Sequence, residues 1–474
     1  MSESLLGEPI DPEFPDYAYA ANPLVKVFKN RSGSTGVANV LLGEWLRIAD
    51  EQTPATGRVH VKYRGGTGYV ELADLTRKRQ LEIFFIDVSQ GDAILIQTPD
   101  DRRILIDAGA SDDAHEFIQN KYRLDKENYH IDFDAIIATH SDDDHTKGLL
   151  NILADPKIAV KRFYHNGLFR RTDAKQDPGP RKGKKGKRVC GLISRPSIGD
   201  KPTLTPLMKD LIGAVESAEK NLPIVIQKMK DTGRRVDSPP EGFVCKRLDA
   251  ADGFIPPYND PQKSLVIEVL WPKANVDDGQ LYYPWYGDAG KTANGNSVVL
   301  CVQHGNQRIL LAGDLNTDSM DDLLKIYPAI HGKPSALESH VYKAAHHGSQ
   351  DFSVPFLQAV KPNAAVISSG DDRNDIHGHP RAVLLGTITR YSRCEKPAVF
   401  STELAACFTR LSKKEQEAFK SSKVQLYERS IQGIIHLRSD GERLCLGCVH
   451  GLKTPSDPLA NILWKWDLWP QEDC

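Results

Sequence analysis

Thr139-His140-Ser141-Asp142-Asp143-Asp144-His145 is the stretch on which the reading of this chain turns. Two imidazoles and three carboxylates fall within positions 140–145. Phe133-Asp134-Ala135-Ile136-Ile137-Ala138 runs into it and reads as a buried strand. Lys147-Gly148-Leu149-Leu150-Asn151-Ile152-Leu153 follows and reads as the opening of a helix. The polar cluster therefore sits at the C-terminal lip of a strand, where α/β folds bind ligands. Acidic groups bunched in this way repel one another unless a cation lies between them, so a metal site is the simplest account. The competing account is an acidic helix cap with two surface histidines. Other parts of the chain supply further ligand-type residues and favour the metal.

Four later segments likewise place polar groups at the ends of apolar strands. Ile309-Leu310-Leu311-Ala312-Gly313-Asp314 is a strand closing on Gly-Asp. Val341-Tyr342-Lys343-Ala344-Ala345-His346-His347-Gly348-Ser349 closes on a histidine pair. Ala364-Ala365-Val366-Ile367-Ser368-Ser369-Gly370 leads to His377-Gly378-His379-Pro380, and Asn294-Gly295-Asn296-Ser297 precedes the strand from Val298 to Val302. In a sheet of parallel strands these lips share one edge, so ligands distant in sequence meet in space.

Working outward, residues 1–22 read as an arm. Residues 23–76 carry short β-type runs separated by Gly, Ser, Asn and Asp, the punctuation of a small all-β barrel. Its close, Tyr63-Arg64-Gly65-Gly66-Thr67-Gly68-Tyr69-Val70, resembles bacterial Src-homology-3-like domains, which implies a site for a peptide or protein partner, a cell-wall fragment or its own neighbouring domain. Strand and helix patterns alternate from residue 81 to about 450. They are interrupted at about 161–260 by a polar, Pro-, Gly- and Lys-rich stretch that reads as an insertion outside the core. Residues 451–474 form an aromatic tail that reads as packing on a domain.

The totals bound the class. A chain of 474 residues with net charge −2 has ordinary globular composition, and no run approaches the ~20 apolar residues of a membrane span. No basic, apolar leader opens the chain, so a cytoplasmic protein with reduced thiols is expected. Cys445-Leu446-Gly447-Cys448 lies in an alternating apolar run and reads as strand core, not as a zinc site.

The ordered set Asp87-Val88-Ser89-Gln90-Gly91-Asp92, His140 to His145 with Gly148-Leu149, Asn294 to Ser297, Gly313-Asp314, His346 to Ser349 and His379-Pro380 resembles metallo-β-lactamase-fold hydrolases of the ComEC-type competence branch. The resemblance implies an α/β, four-layer αββα fold beside the small barrel. Ser89 stands where that branch has Gly. No segment resembles the branch's membrane channel, so DNA import by this chain itself is not expected.

The resemblance also implies two divalent metal ions, Mn²⁺ or Zn²⁺, with Mg²⁺ admissible. His140 and Asp142 would hold one, Asp144 and His145 the other with His379, and Asp314 would bridge them. A carboxylate at Asp142, where the superfamily more often has His, hardens the site and shifts preference toward Mn²⁺ or Mg²⁺. Asp144, His346 and His347 are the expected catalytic groups, with His346 facing the metals and His347 contacting phosphate, and the reverse left open. Metal ligation by one of the two in place of His379 also stays open. Asp92 and Asp107 read as supports for ligand imidazoles or as structural caps, and Ser349 as a phosphate donor or a helix cap. Arg170, Arg171, Lys182, Lys184, Lys185, Lys187 and Arg188 form a basic run with few aromatics, suited to gripping a nucleic-acid backbone without reading bases. The function so indicated is a phosphodiesterase acting through a metal-bridging hydroxide. It is a nuclease on DNA ahead of RNA, by analogy in bacterial DNA processing or phage defence, with no membrane partner. Hydrolysis of a small phosphodiester such as a cyclic nucleotide, or a non-catalytic metal-bearing scaffold, are the alternatives.

Overall fold

The computed structural model describes residues 17–49, 57–63, 66–172, 177–197, 199, 203–233, 236, 238–239, 241–260, 262–328, 335–370, 378–408, 427–431, 433–452 and 463–470. Lys175 and His377 lie outside the described residues, as do positions 1–16 of the expected arm.

Alternating apolar residues explain the layers. In Leu81–Phe85, Leu81, Ile83 and Phe85 belong to one core, while Phe84 belongs to a second on the opposite face. Ile104 and Ile106 of Arg103–Ile106 join the first core, and Leu105 joins the second. A strand with apolar residues at both parities must be covered on both faces. The nine-stranded sheet so formed runs in the order Val244–Arg247, Arg162–His165, Ala135–Ala138, Arg103–Ile106, Ile94–Gln97, Leu81–Phe85, Ile435–Ser439, Leu444–Leu452, Leu463–Pro470.

A six-stranded sheet packs against it, in the order Leu265–Trp271, Val299–His304, Gln307–Leu311, Val341–Lys343, Ala364–Ile367, Ala398–Ser401. Ile267, Val269, Leu300, Val302, Ile309 and Val366 face the first sheet across the shared core. Helices Asp113–Tyr122, Leu149–Ala154 and Pro206–Asp231 cover the outer face of the first sheet. Thr317–Ile326, Val354–Val360 and Ala382–Tyr391 cover the outer face of the second. This is the four-layer αββα arrangement, and the N-terminal unit is all β, as expected. Its seven strands enclose Ala18, Val25, Val27, Val40, Leu46, Val59, Val61 and Val70.

Three boundaries differ from the sequence reading. Tyr17–Ala20, expected in the arm, is a strand pairing with Trp45–Ile48 and Leu75–Thr76. Segment 161–260, expected outside the core, supplies two parallel strands of the first sheet and the 26-residue helix Pro206–Asp231. Leu463–Pro470 of the expected tail is an edge strand on Leu444–Leu452. Cys445 and Cys448 are buried, as strand-core residues, whereas Cys394 is disulfide-bonded. Among the described residues no helix is long and apolar enough to cross a membrane.

Candidate metal centre

Parallel pairing delivers the site. Arg103–Ile106, Ala135–Ala138 and Arg162–His165 run parallel in the first sheet, as do Gln307–Leu311, Val341–Lys343 and Ala364–Ile367 in the second. Just past their C-terminal ends come Asp107, the Thr139–His145 turn, Asp314, His346-His347 and Ser368.

The side chains converge. His145 Nε2 lies 3.4 Å from Asp314 Oδ1, 4.0 Å from Asp144 Oδ1 and 3.2 Å from His347 Nε2. His347 Nε2 lies 3.4 Å from Asp144 Oδ2 and 3.3 Å from Asp314 Oδ2. His140 Nε2 lies 3.8 Å from Asp142 Oδ2 and 4.0 Å from Asp314 Oδ2. Ligand atoms held at ~2.0–2.2 Å from one tetrahedral ion stand roughly 3.3–3.6 Å apart, and somewhat more at wider angles. Among the described residues, donor atoms lie within 4.8 Å of one another in two sets that could hold an ion, His140, His145 and Asp314, and Asp144, His145 and His347, with Asp142 beside His140 at the edge of the first.

Hydrogen bonding behind the ligands supports that fit. His145 Nδ1 bonds Asp107 Oδ2 at 2.8 Å, and Asp107 also accepts from the Thr139 amide at 2.8 Å and its hydroxyl at 2.6 Å. His347 Nδ1 donates to the Ser368 carbonyl at 3.0 Å. A proton held on Nδ1 leaves the Nε2 lone pair of each ring aimed into the cluster. His140 Nε2 and Asp314 Oδ1, both buried, have no hydrogen-bond partner. Buried polar atoms left in this state call for an ion or water.

Charge points the same way. Burial would raise the Asp314 pKa, but His347 and His145 outweigh it and hold the carboxyl well below its usual range. Asp144 is lowered against burial, chiefly by His145 and His347. Burial would lower His145 and His347, yet Asp314, with Asp107 beside the first and Asp144 beside the second, raises both well above the usual imidazole range. Without an ion the cluster recruits protons to balance its carboxylates, and divalent ions answer the same demand. His140 and His346 are lowered, with burial the main cause.

The remaining predicted residues divide. His347, not His346, turns Nε2 into the cluster. His346 lies outside it, with Nε2 3.4 Å from the Asn294 side-chain amide, whose oxygen faces the ring when its nitrogen donates to Asp142 Oδ2, and its ring 5.6 Å from that of His379. Both histidines sit in the left-handed region (φ 49°, ψ 50° and φ 52°, ψ 24°), so consecutive side chains diverge. Neither His379 nor Asp142 is in the grouped donor sets among the described residues. Asp92 is buried beside His347, with Oδ1 3.4 Å from Nδ1. Ser349 accepts from the Asp351 amide at 3.2 Å, and the following helix is capped by Ser353 instead.

Arg170 departs most from expectation. Its Nε and Nη2 reach Asp142 Oδ1 at 2.9 and 2.6 Å, so it braces a candidate ligand. Arg171 bonds Thr203 Oγ1 at 3.0 Å. Lys182 and Arg188 lie in a small sheet made by Arg181–Lys182, Arg188–Cys190, Gln280–Pro284 and Asn275–Asp277, with Lys184, Lys185 and Lys187 in its turn. Aromatics absent from the basic run come from the distant strand and its exit. The Arg188 guanidinium stacks over Tyr282 at 4.7 Å and that of Arg181 over Trp285 at 4.1 Å. The sequence reading passed over Lys343, whose ammonium pairs with Asp92. A lysine inside an apolar strand was the available signal.

Ser89 adopts φ 59°, which accounts for Gly at this turn position in the resembling branch. Gly91 at φ +125° lets the turn lie on the Asp144 carbonyl, which an added Cβ would approach to 2.2 Å.

Among known proteins, residues 86–224 match the model of the metallo-beta-lactamase superfamily. The chain is 25% identical over 326 residues to ComE operon protein 3 of Bacillus subtilis (strain 168). That match covers 66% of this chain and 31% of the relative, so it spans about a third of that protein's length. The chain has the metallo-β-lactamase fold, with candidate divalent-metal sites and with similarity on the competence-related side of that superfamily.

Proposed function

We propose that this chain is a metal-dependent phosphodiesterase and, more narrowly, a nuclease acting on DNA ahead of RNA. The observation that carries the reading is Asp314, placed between two donor sets, with a carboxylate at Asp142 giving the first set a hard, anionic character. Two ions of the Mn²⁺ or Zn²⁺ type, with Mg²⁺ admissible, would supply an activated water and a clamp on both oxygens of the phosphodiester.

The chain's own residues do the rest. His140 and Asp142 hold one subsite, Asp144, His145 and His347 the other, and Asp314 serves both. Asp107 and the Ser368 carbonyl orient the imidazoles, and Arg170 orients Asp142. His346, its pKa lowered chiefly by burial, lies beside this cluster with Nδ1 making no hydrogen bond. It is the group that would take up a proton from the attacking water and return it to the leaving alkoxide. Lys182, Lys184, Lys185 and Lys187, with Arg171 and Arg188, serve the polymer backbone. The N-terminal unit, with Leu24, Val37 and Trp45 exposed, is read as the Src-homology-3-like site for a protein partner.

Chelated protein re-supplied with Mn²⁺, Zn²⁺ or Mg²⁺ is assayed on plasmid, single-stranded DNA, RNA and cyclic nucleotides. DNA hydrolysis that disappears in Asp144→Ala is the expected result. Turnover of cyclic nucleotides with intact DNA would move the assignment to small phosphodiesters, and inertness throughout would reject it.

A further inference from the structure

Lys343, Asp92 and His347 are three ionisable side chains at 0%, 1% and 0% exposure, stacked directly behind the candidate metal cluster. Lys343 belongs to the second sheet. Val341, two residues earlier on the same face, joins the core between the sheets, so Lys343 also points into that space. There its Nζ meets Asp92 Oδ2, on the turn that leads into Ile94–Gln97 of the first sheet. The pair ties the two sheets together 251 residues apart in sequence, at the floor of the site.

Asp92 is where that tie reaches the ligands. Its amide donates to the Asp144 carbonyl at 3.3 Å, and its Oδ1 lies 3.4 Å from His347 Nδ1. That Oδ1 has no hydrogen bond of its own. Asp92, Asp107 and His145 also offer donor atoms within 4.8 Å of one another, a third grouping behind the two already described. An uncompensated Asp92 would therefore compete for His145 and for a cation. Lys343 supplies a positive charge at that point.

We propose that Lys343 is a positioning residue. By holding Asp92 as its partner, it keeps that carboxylate at the back of His347 and out of the cluster. It thereby sets the ion affinity of the subsite formed by Asp144, His145 and His347. The inference rests on the two-ion reading of the cluster.

Removing one member of a buried pair strands the other charge, whereas removing both leaves no buried charge to compensate. This gives a test with Co²⁺ alone as the probe. Chelated wild type, Lys343→Met and the double variant Asp92→Asn/Lys343→Met are titrated by visible absorption and calorimetry, with thermal melts alongside. Asp142→Asn, which strips the other subsite, identifies which equivalent is which. Wild type is expected to take up two equivalents. Lys343→Met should bind the Asp144–His145–His347 equivalent about 10–100-fold more weakly, the usual range for a lost support behind a ligand. Its other equivalent should be unchanged. The double variant should recover to within a few-fold, because the amide that replaces the Asp92 carboxylate still presents an oxygen to His347.

A Lys343→Met protein that melts lower but binds both equivalents as wild type does would reduce the pair to a structural tie and overturn the proposal. A folded double variant that has lost the equivalent would overturn it too, even if the single variant does not fold. Wild type binding fewer than two equivalents would sink the two-ion reading together with this one, whereas two equivalents bound by Lys343→Met with wild-type affinity sinks this one alone.

Discussion

At the scale of the residue, two adjacent histidines divide the work. His346 and His347 are both left-handed, a conformation costing about 1–2 kcal/mol for a side chain with a Cβ. Nothing in the letters His-His-Gly-Ser says which ring turns inward; the backbone sets that, through a turn whose φ values no spacing rule reveals. Most of the ordered motifs, by contrast, were legible because they close an apolar strand, while Asn294 to Ser297 opens one. His347→Ala is expected to lose the second equivalent of bound metal in a chelator competition. His346→Ala should keep both equivalents and lose about 10²–10⁴-fold in kcat, the range of a general acid. Equal metal loss in both variants would contradict this division. Gly91 offers a second check, since φ +125° and the nearby Asp144 carbonyl leave no room for a Cβ. Gly91→Ala should lower the melting temperature and weaken metal binding together, because the displaced group carries a ligand. A fall in melting temperature with unchanged binding would separate the turn from the site.

Elements were legible where their partners are near in sequence and obscure where they are not. The strand ending at Ala138 and the one ending at Leu311 could be read from their own residues. The stretch from 161 to 260 could not, for two reasons. The apolar residues of Pro206–Asp231 recur at helical spacing (Met208, Leu211, Ile212, Val215, Ala218, Leu222, Val225, Ile226, Met229), but a polar average hid them. Arg188–Cys190 finds its strand partner in Tyr282–Pro284, and pairing across such a gap leaves no mark in either segment. The basic run is consequently a stacked β surface in part, not a bare loop. Deleting it whole would remove Arg170 from Asp142. Replacing Lys182, Lys184, Lys185 and Lys187 by Gln removes charge alone. That variant should bind single-stranded DNA with a log–log salt slope flatter by as much as ~3, at roughly 0.7 per lost phosphate contact. Its turnover of a small chromogenic phosphodiester should not change. An unaltered slope would take the polymer away from this surface.

For the whole molecule, burial of histidines sets opposed pH limits. Burial pushes His165 and His436 down to about 3 and His340 down to about 4, with neighbouring arginines assisting. The unfolded chain protonates these rings near pH ~6.5. Between that value and about 3–4 it binds more protons than the folded chain, so stability is lost as the solution is acidified through this window. His145 and His347 behave oppositely in metal-free protein. Burial opposes their charge, but the surrounding carboxylates raise both well above the ordinary value. Their contribution is complete below pH ~6.5 and is lost as pH rises through the raised values. Chelated protein should therefore melt highest near pH ~6.5 and lower on either side. Binding divalent ions requires both rings unprotonated, which removes the alkaline decline and leaves the acid limb, since His165, His340 and His436 are no part of the cluster. Melts across this range, with chelator and with Mn²⁺, separate the two effects. A chelated protein equally stable above neutrality would mean that the inner imidazoles are not charged by their carboxylates. His165→Asn should shallow the acid limb with or without metal, because it removes one of the groups that takes up a proton on acid unfolding.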